Sequence, residues 1–227
     1  MAPETSNRVR IRIDEETLEV EEGAPLLEVC LKNGIYIPNF CYLKEFEPQP
    51  ASCRLCFVAI EGRPRPTPAC IEPVVEDMVV HTGTPEVRRL QKSALAMLLS
   101  VHHVDCKNCH ANKRCGLQQV ARFLKAGLKP RGLERHLKEP EVVTRHPCLD
   151  YFPNRCVLCG RCVRVCRAQQ KQATLTFARR GFNTVIDFFG DPEAAGENCT
   201  DCKACVEVCP VGALQFTADT PLETSTG

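Results

Sequence analysis

The sequence predicts an α+β protein made of three small cysteine-bearing modules in series. Three observations lead there. The 17 cysteines of the 227-residue chain fall in three regions, Cys30–Cys70, Cys106–Cys115 and Cys148–Cys209, with cysteine-free stretches between them. The chain opens on apolar residues that alternate and then shifts to helical spacing. Near its end one cysteine run occurs twice. These features place the modules at 1–80, 81–145 and 146–227.

Composition narrows the possibilities. Charged residues make up 25% of the chain and the net charge is +1, so no large basic surface is available for nucleic acid or an anionic membrane. An odd number of cysteines cannot all pair as disulfides within one chain. The first residues, MAPETSNRVR, contain no apolar stretch of the kind a secretory signal needs. The longest apolar stretch, Ala94–Val101, is interrupted by Ser100 and falls well short of the roughly 20 residues that span a bilayer. The expected setting is therefore the cytoplasm, where thiols stay reduced and abundant cysteines bind metal more often than they form disulfides.

In the first module Val9, Ile11 and Ile13 alternate, Asp14-Glu15-Glu16 turns the chain, and Leu18 and Val20 continue the alternation, which is a hairpin signal. Gly23 and Pro25 then open a short helix with Leu26, Leu27, Val29 and Cys30 on one side, stopped by Gly34. Pro64, Pro66, Pro68 and Pro73 predict irregular chain around Cys70. In the second module Thr84 and Pro85 start a helix whose Val87, Leu90, Ala94, Leu98 and Val101 recur at helical spacing and lead to His102. The basic stretch from Gly116 to Arg145 is expected to be partly helical.

The third module carries the strongest chemical signal. CVLCGRCVRVC at 156–166 matches CTDCKACVEVC at 199–209 in cysteine spacing, and both read C-x2-C-x2-C-x3-C. This is the run of bacterial two-cluster ferredoxins, in which the fourth Cys ligates the other cluster. Cys156, Cys159, Cys162 and Cys209 should hold one [4Fe–4S] cluster, and Cys166, Cys199, Cys202 and Cys205 the other. A structural zinc site takes four ligands, usually as two separated pairs, so the third cysteine of each run is surplus for zinc. One departure is Arg167, where the run often has proline after its last Cys.

The other two sets are less decisive on their own. Cys41, Cys53, Cys56 and Cys70 supply four thiolates, as a [2Fe–2S] cluster needs, but a lone x2 pair with two outlying cysteines also describes zinc sites. His102, Cys106, Cys109 and Cys115 suit either structural zinc or an iron–sulfur cluster. His103 is adjacent to His102, and His110 reads as a solvated loop residue. Cys30 is most simply a small core residue, and Cys148 an inert linker thiol. Arg155, Arg161, Arg164 and Arg167 surround the first run, where they either stabilise a reduced cluster, dock an acidic partner or form ordinary solvated surface.

The order of these patterns is distinctive. GIYIPNFCY at 34–42, SCRLCFV at 52–58, HHVDCKNC at 102–109 followed by CGLQ at 115–118, and RCVLCGRCVRVC at 155–166 resemble the N-terminal region of the large iron–sulfur subunit of bacterial NADH dehydrogenase (complex I). They are also similar to the diaphorase iron–sulfur subunit of NAD-reducing hydrogenases and to the accessory domain of [FeFe]-hydrogenases. The resemblance runs from about residue 8 to about 218. It implies a β-grasp ferredoxin fold for the first module and a [4Fe–4S] cluster on the His102 set. The total is then one [2Fe–2S] and three [4Fe–4S] clusters. It further implies a hetero-oligomeric electron-transfer subunit between an NAD(P)H-binding flavoprotein and a catalytic partner such as a hydrogenase or formate dehydrogenase. No glycine-rich dinucleotide fingerprint, P-loop or nucleophilic triad occurs, so the chain itself reads as non-catalytic. Two alternatives have other consequences: a free soluble polyferredoxin without fixed partner, and a zinc-stabilised interaction protein.

Overall fold

Alternation at the start of the chain becomes one face of a sheet. The computed structural model describes residues 7–129, 132–169, 174–190, 199 and 202–217. Strand β1 (Arg8–Ile13) pairs antiparallel with β2 (Glu16–Glu21), and Ile13 lies opposite Glu16. Asp14 and Glu15 alone form the turn. Asp14 sits at φ 51, which an acidic residue tolerates better than most. Its carboxylate accepts the Thr82 N–H at 2.9 Å and the Thr82 hydroxyl at 2.6 Å, which ties the hairpin turn to the end of the neighbouring strand, Val79–His81. Val9, Ile11 and Ile13 are buried, as alternation requires.

The chain divides into two compact units. The first holds residues 1–96 with 123–126, and the second 97–122 with 127–227. In the first, α1 (Leu26–Lys32) buries Leu26, Leu27, Val29 and Cys30 and ends before Gly34 at φ +77. Strands β3 (Phe57–Ile60), β4 (Thr67–Pro68) and β5 (Val79–His81) complete a mixed sheet in the order β2-β1-β5-β3-β4. β5 runs parallel to β1 and antiparallel to β3. The core joins Ile11, Ile13, Leu27, Cys30, Val58 and Val80.

Helix α2 (Pro85–Ser100) starts where expected. The Thr84 hydroxyl accepts the Val87 N–H at 3.2 Å and its carbonyl the Arg88 N–H at 2.9 Å. Its buried face is displaced from the expected one. Val87, Gln91, Ala94, Leu95 and Leu99 are buried, whereas Leu90 and Leu98 are only half-buried. Gln91 is 1% exposed because its amide donates to the Phe57 carbonyl at 3.0 Å and accepts from Arg88 at 2.9 Å. A polar residue that satisfies its hydrogen bonds internally is invisible to a hydrophobic pattern. Among the described residues of 116–145, the helical content is confined to α3 (Gly116–Phe123).

In the second unit β6 (Val143–His146), β7 (Leu149–Tyr151) and β10 (Leu214–Phe216) form one sheet in the order β10-β7-β6. β8 (Leu175–Ala178) and β9 (Val185–Phe188) form a separate hairpin. α4 (Arg161–Gln169) packs on the short helix α5 (Ala204–Glu207) and on β8. Thr200 and Asp201 of the second cysteine run lie outside the described residues, as does the chain beyond 217. Among the described residues no helix is long and apolar enough to cross a membrane.

Cys30 is fully buried, and burial holds its thiol proton up to about 12. Cys30→Ser places a hydroxyl with no partner in this core and should cost about 1–3 kcal/mol, read as a lowered midpoint in thermal unfolding. Cys30→Ala should cost less, and a thiol reagent should leave Cys30 unmodified in the folded chain.

Candidate metal centres

The first unit brings Cys41, Cys53, Cys56 and Cys70 together in its interior, where all four are buried. They arrive on three devices. Cys41 lies in the loop after α1, and Cys53 and Cys56 bracket a turn that leads into β3. Cys70 sits in a single 3-10 turn, Ala69–Ile71, just after β4. The Ala69 N–H donates to the Cys56 carbonyl at 2.9 Å and so draws that turn against the pair. Ala51 at φ 47 and Arg54 at φ 54 hold the intervening loop in left-handed conformations, at about 1–2 kcal/mol each. Such strain persists only where the surroundings over-determine it. The turn at Cys70 is braced further by Glu72. Its carboxylate takes both Arg63 guanidinium nitrogens, at 2.8 and 2.7 Å, and the Thr67 hydroxyl at 2.6 Å.

Cys41 Sγ and Cys53 Sγ are 3.4 Å apart, and the Phe40 N–H points at Cys53 Sγ at 3.4 Å. The Cys53 hydrogen bond pulls the Cys41 thiol down to about 5 against its own burial, with Ser52 assisting. Cys53 and Cys56 are pushed the other way, first by hydrogen bonds with Cys41 and Cys70 and then by burial. Cys53 and Cys56 are thus held as thiols while Cys41 is eased toward the thiolate. That donor set fits a cationic iron centre, which binds thiolate and displaces the proton.

In the second unit His102, Cys106, Cys109 and Cys115 line one cavity, together with Arg155, Gln118 and Gly212. His102 Nδ1 is shielded from solvent and has no hydrogen-bond partner. Burial, then the charges of Arg155 and His103, push the His102 ring down to about 4, so it is the neutral imidazole a metal requires. His103 also lines this cavity, but its Nδ1 meets Glu141 at 3.3 Å and its backbone N–H donates to the Asn154 carbonyl at 2.7 Å. His110 is half-buried, lies against Phe152 and is not among the lining residues. The cavity's far wall depends on Gly212. A Cβ there would stand 2.7 Å from Cys109 Sγ and 3.1 Å from the Ala111 Cβ.

The two cysteine runs cross. Cys156, Cys159 and Cys162 line a cavity with Cys209, and Cys199, Cys202 and Cys205 line another with Cys166. The exchange follows from local structure. Cys162 and Cys166 lie one turn apart on α4, so they face along the same side but at different heights. Residue Gly160 at φ +75 and its counterpart Lys203 at φ 46 bend each run after its second cysteine. A side chain at Gly160 would press on the Phe177 ring at 3.1 Å. Cys156 receives the Leu158 N–H at 3.3 Å and hydrogen-bonds with the Tyr151 hydroxyl, which itself accepts the Ile186 N–H at 3.1 Å. Cys166 meets the Thr174 hydroxyl at 3.3 Å. Burial raises Cys156 to about 11, and Cys159 and Cys205 to about 12.

Spacing arguments pass over Tyr151, Thr174, Gly160 and Gly212. The last two had a signal, since a glycine inside or just after a ligand run marks close approach. Tyr151, five residues before Cys156, and Thr174, eight residues after Cys166, fall outside the cysteine pattern and left none. Of the two spare cysteines, Cys30 is in the core, and Cys148 lies 3.4 Å from His146 Nδ1 with its thiol raised by burial.

Comparison with known proteins adds the domain types. Residues 6–85 match a 2Fe-2S iron-sulfur cluster binding domain, and residues 155–213 match a 4Fe-4S dicluster domain. The His102 set falls between the two matches. The chain is 38% identical over 212 residues to an NADH-quinone oxidoreductase subunit of Rhizobium meliloti, covering 91% of this chain and 24% of that protein. It is 34% identical over 210 residues to an NADP-reducing hydrogenase subunit of Solidesulfovibrio fructosivorans, covering 90% and 35%. The chain therefore spans about a quarter to a third of the length of these relatives. A chain in the crystal structure of an NAD+-reducing [NiFe]-hydrogenase in the H2-reduced state superposes with a TM-score of 0.80 at 28% identity, covering 94% of this chain and 90% of that one. The chain is thus an α+β protein with 2Fe–2S and 4Fe–4S ferredoxin domains, homologous to the iron–sulfur electron-transfer subunits of NADH-quinone oxidoreductase and NAD(P)-reducing hydrogenase.

Proposed function

We propose that the chain is a multi-cluster electron-transfer subunit working in the cytoplasm between an NAD(P)H-binding flavoprotein and a catalytic oxidoreductase of the hydrogenase or formate dehydrogenase type. In this reading Cys41, Cys53, Cys56 and Cys70 of a β-grasp domain hold a [2Fe–2S] cluster. His102, Cys106, Cys109 and Cys115 of a middle module hold a [4Fe–4S] cluster. The crossed sets of a double ferredoxin domain hold two more. Bound there, the clusters supply one-electron transfer without bond making at the protein.

The observation that carries this reading is the crossing of Cys166 and Cys209. Independent zinc sites have no need to trade ligands between neighbours, whereas a two-cluster carrier gains a fixed, close pair of centres from it. The chain's own residues do the rest. They bury the ligands, direct backbone N–H groups and hydroxyls at sulfur, and share walls. The segment 209–213 presents Cys209, Pro210, Val211 and Ala213 to the first-run cavity and Gly212 to the His102 cavity. One strip of backbone therefore separates two ligand sets, and α4 separates the next two. Three sets stand in an unbroken series within the second unit.

The native complex, purified without oxygen, should contain a flavoprotein and a second metalloenzyme. Recovery of the chain alone, brown and free of flavin, favours a free polyferredoxin. The isolated chain should carry acid-labile sulfide and about 14 iron atoms and show no NADH-dependent dye reduction; a colourless zinc protein would refute the reading. Cys209→Ala should alter the EPR signal of the first-run cluster and spare that of Cys199, Cys202 and Cys205; the reverse pattern would refute crossed ligation. Gly212→Ala should displace Cys109 and lower the iron content by about four atoms per chain, with the double ferredoxin signals retained.

A further inference from the structure

The two cysteine runs repeat each other in spacing, and a buried charge stands beside the first of them. Lys138 is 6% exposed, and its Nζ is shielded from solvent without a hydrogen-bond partner. A buried ammonium is among the most expensive groups a protein can hold, and it is normally paired. Nothing in the ligand motifs predicts it.

The position of Lys138 is not slack. Its backbone N–H donates to Asn154 Oδ1 at 2.7 Å, and its carbonyl accepts from Asn154 Nδ2 at 2.9 Å. Asn154 is itself buried and sits in the 3-10 turn Pro153–Arg155, two residues before Cys156. This reciprocal pair pins the stem of Lys138 to the start of the first run. Burial opposes the charge on Lys138, and the Cys156 thiol is the group that favours it. The same attraction eases the Cys156 thiolate. The second run has a lysine too, Lys203, which lines the cavity of the Cys166 set. That lysine is exposed, with Nζ 5.0 Å over the Phe216 ring, so water and salt screen it.

We propose that Lys138, clamped by Asn154 beside Cys156, is a positioning residue that raises the reduction potential of the first-run centre and so sets it apart from its pseudo-symmetric neighbour. The proposal rests on the cluster reading above. Uptake of one electron makes the ligand set of Cys156, Cys159, Cys162 and Cys209 one unit more negative. A fixed cation in a low-dielectric site favours that state over the oxidised one. The cation's own missing partner is then accounted for, since the anionic centre is the partner.

The test is a potentiometric titration followed by EPR on the iron-loaded full chain. In Lys138→Met the reduction equilibrium of one cluster should fall at least tenfold, about 59 mV for one electron. The signals of the other clusters should hold their midpoints. The shifted signal should be the one that Cys209→Ala alters, and Lys138→Arg should restore the wild-type midpoint. Removing a buried charge with an apolar chain of similar length is not expected to unfold the protein, and Lys138→Gln gives a second neutral variant. Unshifted midpoints in both neutral variants, at full iron and sulfide content, would overturn the inference and leave the cluster reading standing. A wild-type chain without sulfide or reducible signals would overturn both.

Discussion

The second unit depends on one strand pairing. β7 lies immediately before the first cysteine run and β10 immediately after the second, and the two are antiparallel neighbours with Leu214 opposite Tyr151. The Phe152 N–H donates to the Ala213 carbonyl at 2.8 Å, and the Thr217 N–H to the Cys148 carbonyl at 3.1 Å, which extends the closure at both ends. Residues more than 50 positions apart are thereby held in register. With the ends joined, Cys209 has its place beside Cys156, and Gly212 its place against the Cys109 loop. The Gly116 N–H completes the arrangement by donating to the Pro210 carbonyl at 2.8 Å. Loosening this pairing would open two ligand cavities together.

The ligand sets also share a thermodynamic condition. Their sulfurs are buried or half-buried, and burial raises the Cys156, Cys159 and Cys205 thiols among them. Low dielectric disfavours several thiolates side by side, so each set is poised for a cation and poorly suited to standing charged without one. Metal binding and folding are coupled under such conditions, because the energy released at sulfur offsets the cost of gathering and drying the ligands. The histidine set follows the same rule by another route. A neutral, shielded imidazole contributes a lone pair without adding negative charge.

Backbone strain is distributed accordingly. Left-handed residues other than glycine occur within or beside the ligand loops at Ala51, Arg54, Leu158 and Lys203. Each wraps a short loop around a point instead of letting it run on as strand or helix. The bracing around them is specific. Glu72 fixes the Cys70 turn, and Asn154 fixes the approach to Cys156.

Much of this was readable from residue order. The hairpin, α1 and the start of α2 follow from alternation, glycine stops and the Thr84-Pro85 start, because these signals are local. The pairing of the two late cysteine runs was legible in spacing, because each run repeats the same short, fixed separations; the Cys41 and His102 sets were left open by spacing alone. Residue order could not supply what meets across long separations. The sheet order β2-β1-β5-β3-β4, the burial of Gln91, the wall made by Gly212 and the buried charge of Lys138 all depend on segments distant in sequence coming into contact. Their energies come from packing, desolvation and hydrogen bonds between those segments, which exist only once the chain has folded.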